Sequence, residues 1–450
     1  MKYLKRHIDK DLLEWKNLSD HKPLLIRGAR QVGKSTAIRE FGKKFKYFIE
    51  LNLEKQPSYK GFFTKDIDVK ATCAKLSASF STPIIPGETL LFIDEIQSCE
   101  EAIASLRYFR EDYPELHVIA AGSLLEFALE EISTFAVGRI RSLYLYPFSF
   151  DEFLWATGKE MLCEFKTTEA PHEHLPEPMH QQLIELLRTF FLVGGMPAAV
   201  REWTRTSDYL SCAKIHNDIL DTYNDDFSKY NKHISPNLLR QTLRSVALQI
   251  GNKFVCAQVD KNIHSAIIKE ALHLLSMARL IIPVTHTDGN GLPLGAEENV
   301  AYTKYLFADT GLLNTLLASD ATDILLSSEI DFVNKGGISE MFAGLELAKY
   351  HNNIIKSELH YWQNPDKKAN AEVDYLIAHK GKVMPIEVKA NTKGSMQSLW
   401  VFMRKKHLKE AVRTSLENFG EYSYCDKQDN DAERHVNIIP LYAISSLSKL

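Results

Sequence analysis

Residues 22–36 read K-P-L-L-I-R-G-A-R-Q-V-G-K-S-T, and this stretch constrains the chain more than any other. An apolar run suited to a buried strand ends on Gly28, and a helical stretch, Ser35–Phe45, follows. Glycines at 28 and 33 let the backbone between them curl, so that its N–H groups point at one anion. The helix adds the positive end of its dipole. Gly28, Ala29, Arg30, Gln31, Val32, Gly33, Lys34, Ser35 and Thr36 therefore read as a cradle for nucleotide phosphates. Lys34 is placed to reach the β- and γ-phosphates, and the Ser35 hydroxyl to ligate Mg²⁺.

The run TLLFIDEIQ supplies the acidic half of such a site. Asp94 and Glu95 end an apolar strand, where a carboxylate is expensive unless it meets a cation. Asp94 is suited to hold the water shell of Mg²⁺, and Glu95 to orient and deprotonate an attacking water. The adjacent glutamate favours ATP over GTP. Ser123 ends the run HVIAAGS; it either senses the γ-phosphate and positions the water or caps the next helix. Arg139 is a candidate arginine finger, in cis or across a subunit boundary; the alternative is an ordinary surface arginine.

Strand-like runs at 24–27, 47–53, 89–95, 117–123 and 141–147 alternate with helical stretches, which predicts a parallel sheet covered on both faces. With 450 residues there is room for about three domains. Apolar stretches such as Leu90–Ile93 are far short of the roughly 20 residues that span a bilayer, and the charged N-terminus is not a secretory signal. Six dispersed cysteines read as reduced core fillers, so the expectation is a cytoplasmic protein without membrane contact. A net charge of −4 means that the chain as a whole is no polyanion binder, although local basic patches are compatible with it. His172, His174 and His180 lie in a proline-containing polar stretch that reads as a solvated loop rather than a metal site. Two amphipathic helices and a hairpin with a long polar tip, within 236–325, outline a winged helix.

The motifs GARQVGKST, FIDEIQ, AAGS and GRIRSLYLYPFSFDEF stand in the order and approximate spacing of the AAA-type superfamily ATPases, which this chain resembles. It is similar in particular to the prokaryotic ATPases that carry a C-terminal domain of unknown function, through FLVGGMPAAV, KYLFADTGLL and AEVDYLIAHKGKVMPIEVKA. The resemblance implies an α/β chain with four parts. These are an AAA-type ATP-binding domain over 1–155, a helical linker or lid over 156–235, a winged-helix-like domain over 236–325, and an α+β PD-(D/E)xK nuclease-like domain over 326–450.

The last part can also be read from its residues. Lys380-Gly381 is a two-residue hairpin turn, so His379 pairs with Lys382. That register sets Asp374 opposite Glu387 and Glu372 opposite Lys389, all on one face. Opposed carboxylates repel, which calls for a metal or a positive neighbour. Pro385 suggests that the second strand is an edge or bulged strand. Glu340, Asp374, Glu387 and Lys389 resemble the nuclease triplet, in which a metal held by the carboxylates activates water and the lysine orients the nucleophile. The proline–aspartate pair of that pattern is missing, since Val373 precedes Asp374. An active nuclease, an inactive descendant and an unrelated solvated strand face are the three readings.

Lys229, Lys232, Arg240, Arg244, Lys367, Lys368, Arg404, Lys405, Lys406, Lys409 and Arg413 form patches able to neutralise phosphates. The sequence thus predicts a Mg²⁺-dependent ATPase with DNA as partner. The alternative is an ATP-dependent switch, in a homo-oligomer or with a protein partner bound by the C-terminal domains.

Overall fold

The computed structural model describes residues 3–64, 66–131, 138–169, 174–230, 233–318, 335–349, 353, 358–365, 371–392 and 394–449. The chain forms two compact units. The first comprises Met1–Tyr146 with Met277–Arg279 and His351–Lys356, and the second comprises the rest.

The first unit runs α1 (Ile8–Lys16), β1 (Leu24–Arg27), α2 (Lys34–Gly42), β2 (Tyr47–Asn52), α3 (Val69–Phe80), β3 (Thr89–Asp94), α4 (Glu100–Asp112), β4 (His117–Ala121), α5 (Leu125–Glu131) and β5 (Arg141–Tyr144). Its strands form one parallel five-stranded sheet in the order β2-β3-β4-β1-β5. Helices cover both faces, so β3 and β4 are buried throughout and read as continuous apolar runs. Leu91, Ile93, Val118 and Ala120 pack with Cys73, Leu76, Ile103 and Leu106 of α3 and α4 in one core. This is the P-loop AAA architecture, and the fifth predicted strand takes its place beside β1.

The second unit continues with α6 (Phe150–Ala156), α7 (Glu160–Glu169), α8 (Glu177–Val193), α9 (Pro197–Thr206), α10 (Tyr209–Tyr230), α11 (Pro236–Leu248) and α12 (Ser265–Met277). After them come β6 (Ile281–Thr287), β7 (Glu298–Phe307), α13 (Thr310–Leu317), α14 (Lys335–Leu347), β8 (Leu359–Gln363), β9 (Glu372–His379), β10 (Lys382–Val388), α15 (Gln397–Lys405), β11 (Glu410–Ser415), β12 (Gly420–Asp426) and β13 (Ala432–Pro440). The strands form a mixed eight-stranded sheet, β12-β13-β11-β10-β9-β8-β6-β7. The helix–helix–hairpin pattern read from sequence is α11, α12 and β6–β7. Its hairpin is the end of this large sheet, because β6 bonds in parallel to β8.

The β9–β10 register is the predicted one: His379 pairs with Lys382 and Tyr375 with Ile386. Lys380 at φ +46° and Gly381 at φ +77° make the turn, and the primed geometry matches the strand twist. The expectation that Pro385 marks an edge or bulge is corrected. β10 lies inside the sheet between β9 and β11. Its ladder to β11 begins only at Ile386, opposite Val412, so the proline's missing N–H precedes the first bond on that side.

Among the cysteines, Cys73, Cys99, Cys163 and Cys212 are buried as free thiols, Cys256 is half-buried and Cys425 is exposed.

Candidate active site

The phosphate loop leaves β1 at Gly28, whose φ is +147°. A Cβ there would lie 2.1 Å from the Leu145 carbonyl oxygen, so only glycine lets the loop depart against β5. Gly33, at φ +93°, turns the chain into α2. Lys34 is 8% exposed, and its Nζ donates to the carbonyls of Gly28 and Ala29 at 2.8 Å each. Burial lowers Lys34 to about 8, against the upward pull of Glu95 and Asp94. The buried Arg6 steadies the loop from outside, donating to the Val32 carbonyl at 3.0 Å and the Tyr146 carbonyl at 2.7 Å.

The acidic pair sits beside the lysine. Ser35 Oγ lies 3.2 and 3.1 Å from the two carboxylate oxygens of Asp94. Asn52, level with Asp94 on β2, donates to Asp94 Oδ2 at 3.1 Å. Burial raises the Asp94 pKa, and the Glu95 charge adds to this. Glu95 occupies the left-handed region at φ +52°, which costs a residue with a Cβ about 1–2 kcal/mol. Such strain persists where the surroundings over-determine it. Here Ser123 donates to Glu95 Oε2 from its backbone N at 3.1 Å and its Oγ at 3.0 Å, while Gln97 Nε2 donates to the same oxygen at 2.7 Å. A Cβ on Gly122 would lie 1.9 Å from Gln97 Oε1, so the glycine of AAGS makes room for that glutamine.

The second unit gathers its own charges. Val388 N donates to Asp374 Oδ2 at 2.7 Å where the β9–β10 ladder ends. Lys389 Nζ pairs with Glu387 Oε1. Glu387 is 4% exposed, and its Oε2 accepts no hydrogen bond from the described residues. Glu340, on α14, is met by Lys304 Nζ at 2.8 Å, and Lys304 also bonds Glu372. Burial, reinforced by the Asp374 charge, pushes Glu387 up to about 8. Burial pushes Glu340 up to about 8 as well, against Lys304 and with Asp374. Burial by itself would lower Lys304, but Glu340 and Glu372 more than offset it and hold the ammonium above the usual lysine range. The expected third metal carboxylate, Glu340, thus carries a lysine on Oε1. Among the described residues no group of three or more His, Cys, Asp or Glu is placed to hold a metal ion.

The family model described as AAA domain matches residues 20–154. The first unit carries an AAA domain. Residues 184–323 match one domain of unknown function, DUF8612, and residues 335–444 another, DUF4143. None of the curated proteins matches the chain. Among solved structures it is similar to that titled crystal structure of Cdc6p from Pyrobaculum aerophilum, at 10% identity and a TM-score of 0.24, over 70% of this chain and 93% of that one.

In the AAA domain the loop residues, Asp94, Glu95 and Ser123 come together. Arg139 lies elsewhere, half-exposed and paired with Glu111 of α4, which Arg107 also bonds at 3.0 Å. Sequence reasoning missed Arg6, Asn52, Gln97 and, in the second unit, Lys304. Asn52 and Gln97 carry a local signal, a polar side chain ending an apolar strand or following the acidic pair; Arg6 and Lys304 carry none. The basic patches are only partly free. Lys229 pairs with Asp226, Arg404 with Asp426, and Arg413 is buried against the Thr392 and Gly394 carbonyls. Arg413 is therefore no phosphate contact. Lys405 and Lys409 are exposed, whereas Lys232, Lys367, Lys368 and His172 lie outside the described residues. His180 is buried, its Nδ1 2.8 Å from the Tyr442 hydroxyl, rather than solvated as expected. No helix among the described residues is long and apolar enough to cross a membrane.

Proposed function

We propose that the chain hydrolyses ATP at the AAA domain and couples turnover to DNA held by its second unit. The observation that carries the first part is Glu95, fixed by Ser123 and Gln97 next to the Ser35–Asp94 contact. In this reading the N–H groups of residues 28–36 bind the phosphates and Lys34 leaves the Gly28 and Ala29 carbonyls for the β- and γ-oxygens. Ser35 and Asp94, an all-oxygen donor set, suit Mg²⁺, which when bound neutralises phosphate charge. Glu95 accepts the proton of the attacking water through Oε1, since Oε2 already accepts three bonds. An Arg139 finger acts on a neighbouring copy in this reading, because within its own chain Glu111 occupies it.

The DNA part is supported by the convergence of Asp374, Glu387 and Lys389 in a nuclease-like hairpin, by the helix pair with its hairpin, and by the exposed Lys405 and Lys409. A second reading, a switch that binds protein, is favoured by the edge strand β12, where Tyr422 and Tyr424 are 45% and 39% exposed. The test is ATP turnover with and without DNA, for wild type and Lys34→Ala, with salt-dependent DNA binding followed by anisotropy. Turnover that is lost in Lys34→Ala and stimulated by DNA supports the reading. Turnover indifferent to DNA, with no salt-sensitive binding, leaves the switch.

A further inference from the structure

We propose that Lys304 is the resident cation of the C-terminal carboxylate cluster, filling the place a divalent metal takes in nuclease-type sites, so that this cluster is closed to metal. The inference deepens the nuclease-like reading of the hairpin and rests on it.

Lys304 belongs to β7, where it pairs with Val284 of β6, so a strand roots it rather than a loop. Its side chain crosses the sheet face with the ammonium 5.0 Å above the Tyr361 ring of β8, and ends between Glu340 of α14 and Glu372 of β9. It is 1% exposed. The three N–H donors of an ammonium are thereby directed to two carboxylates and an aromatic face. A divalent ion drawn to the same carboxylates meets a positive charge already among them, on a side chain buried among the described residues. At the far end of the cluster Lys389 bonds Glu387, but its side chain is 26% exposed, so Lys304 is the buried cation of the two.

Two structural details fit a lysine held here permanently. Tyr375 Oη donates to the Glu340 carbonyl at 2.7 Å and fills the space beside Gly344, where a Cβ would lie 2.4 Å from that oxygen. Gly251, at φ +80°, passes so close to Glu340 that a Cβ there would be 3.3 Å from Oε2. Tyr375 thus fixes the backbone of Glu340, and the bare glycine leaves room for its carboxylate beside Lys304. The point least committed is Glu387 Oε2, which has no hydrogen-bond partner among the described residues.

The experiment follows Mn²⁺ by the electron paramagnetic resonance of the free ion, with the full chain and no nucleotide present. Ser35→Ala serves as the control for the phosphate loop. Wild type is expected to show no Mn²⁺ site sensitive to Glu387→Gln or Asp374→Asn. Lys304→Met is expected to bind one Mn²⁺ per chain about tenfold or more tightly than wild type, in a manner that Asp374→Asn abolishes. A wild-type Mn²⁺ site lost on Glu387→Gln overturns the proposal. So does a folded Lys304→Met chain with no gain. Should that variant not fold, the wild-type titration decides alone. Anisotropy with DNA is recorded on the same samples. Absence of DNA binding ends the reading of the preceding section without touching the metal result.

Discussion

Two buried acidic sites in this molecule answer the same electrostatic problem in opposite ways. In the AAA domain, Asp94 and Glu95 are met by neutral donors: Ser35, Asn52, Ser123 and Gln97. Hydrogen bonds from neutral groups hold the carboxylates in place and leave their charge for an incoming ion. In the second unit, Glu340, Glu372 and Glu387 are met by ammonium groups, Lys304 and Lys389. There the countercharge is already built in. What decides whether a cluster of acids is a receptive site is the chemistry of its partners, and the number of acids says little.

The largest expected effect tests that contrast through stability. Lys304→Met leaves Glu340 and Glu372 without their ammonium partner, and at pH 8.5, where Glu340 is ionised, breaking such a pair costs about 3–5 kcal/mol. Asn52→Ala removes a neutral partner of Asp94 and is expected to cost about 1 kcal/mol. Urea unfolding of both variants measures the difference; equal losses would erase the distinction. The next effect is chemical. Glu95→Gln is expected to keep ATP binding and slow turnover about 100-fold or more, which steady-state hydrolysis with a nucleotide-binding assay reads directly.

A third prediction sets the two units against each other in pH. Glu340 and Glu387, pushed up to about 8 from 4.5, hold protons in the folded state that the unfolded chain has released. Their contribution is therefore full below pH 4.5 and is lost as pH rises through about 8. Burial and the stacked His21 lower His117 from 6.5 to about 4, so the unfolded chain binds the extra proton. Its contribution is full above pH 6.5 and is lost as pH falls through about 4. Hydrogen exchange should show β9 and β10 less protected at pH 8.5 than at pH 6.5, and β4 less protected at pH 5 than at pH 6.5. Parallel trends in both sheets would contradict the assignment. The smallest effect sharpens the description of Glu95. Ser123→Ala removes one of three bonds to Oε2 while the backbone N keeps its own, so turnover should fall only about two- to tenfold. A loss as deep as that of Glu95→Gln would mean that the hydroxyl touches the nucleotide or water directly.

The phosphate loop was legible because all that shapes it is local: a strand, two glycines, a lysine and a helix within thirteen residues from Leu24 to Thr36. The register of β9 and β10 was legible for the same reason, since Lys380-Gly381 fixes it. Ser123 left two alternatives open, and the partner it meets, Glu95 Oε2, is neither of them; that contact depends on how β3 and β4 lie side by side. The interior position of Pro385 depends on β11, a parallel partner delivered by α15, and no pattern around residue 385 announces it. Lys304 was invisible because it reaches Glu372 from the far edge of the sheet, past β6 and β8. Charges that meet by crossing a sheet leave no spacing to read.

The make-up of the first unit bears on how it is born. Tyr144 N at the end of β5 donates to the Asn353 carbonyl at 2.6 Å, and Asn353 Nδ2 donates to Asp11 of α1 at 2.6 Å. Arg279 bonds Glu126 at 3.1 Å, on a carboxylate that Arg27 also engages. These partners are synthesised long after the sheet they complete. At about 5–20 residues per second, the ribosome delivers residue 356 roughly 10–40 s after residue 146. For that interval the nascent first unit waits with α1 and β5 unfinished, and a fragment cut near residue 155 would wait indefinitely.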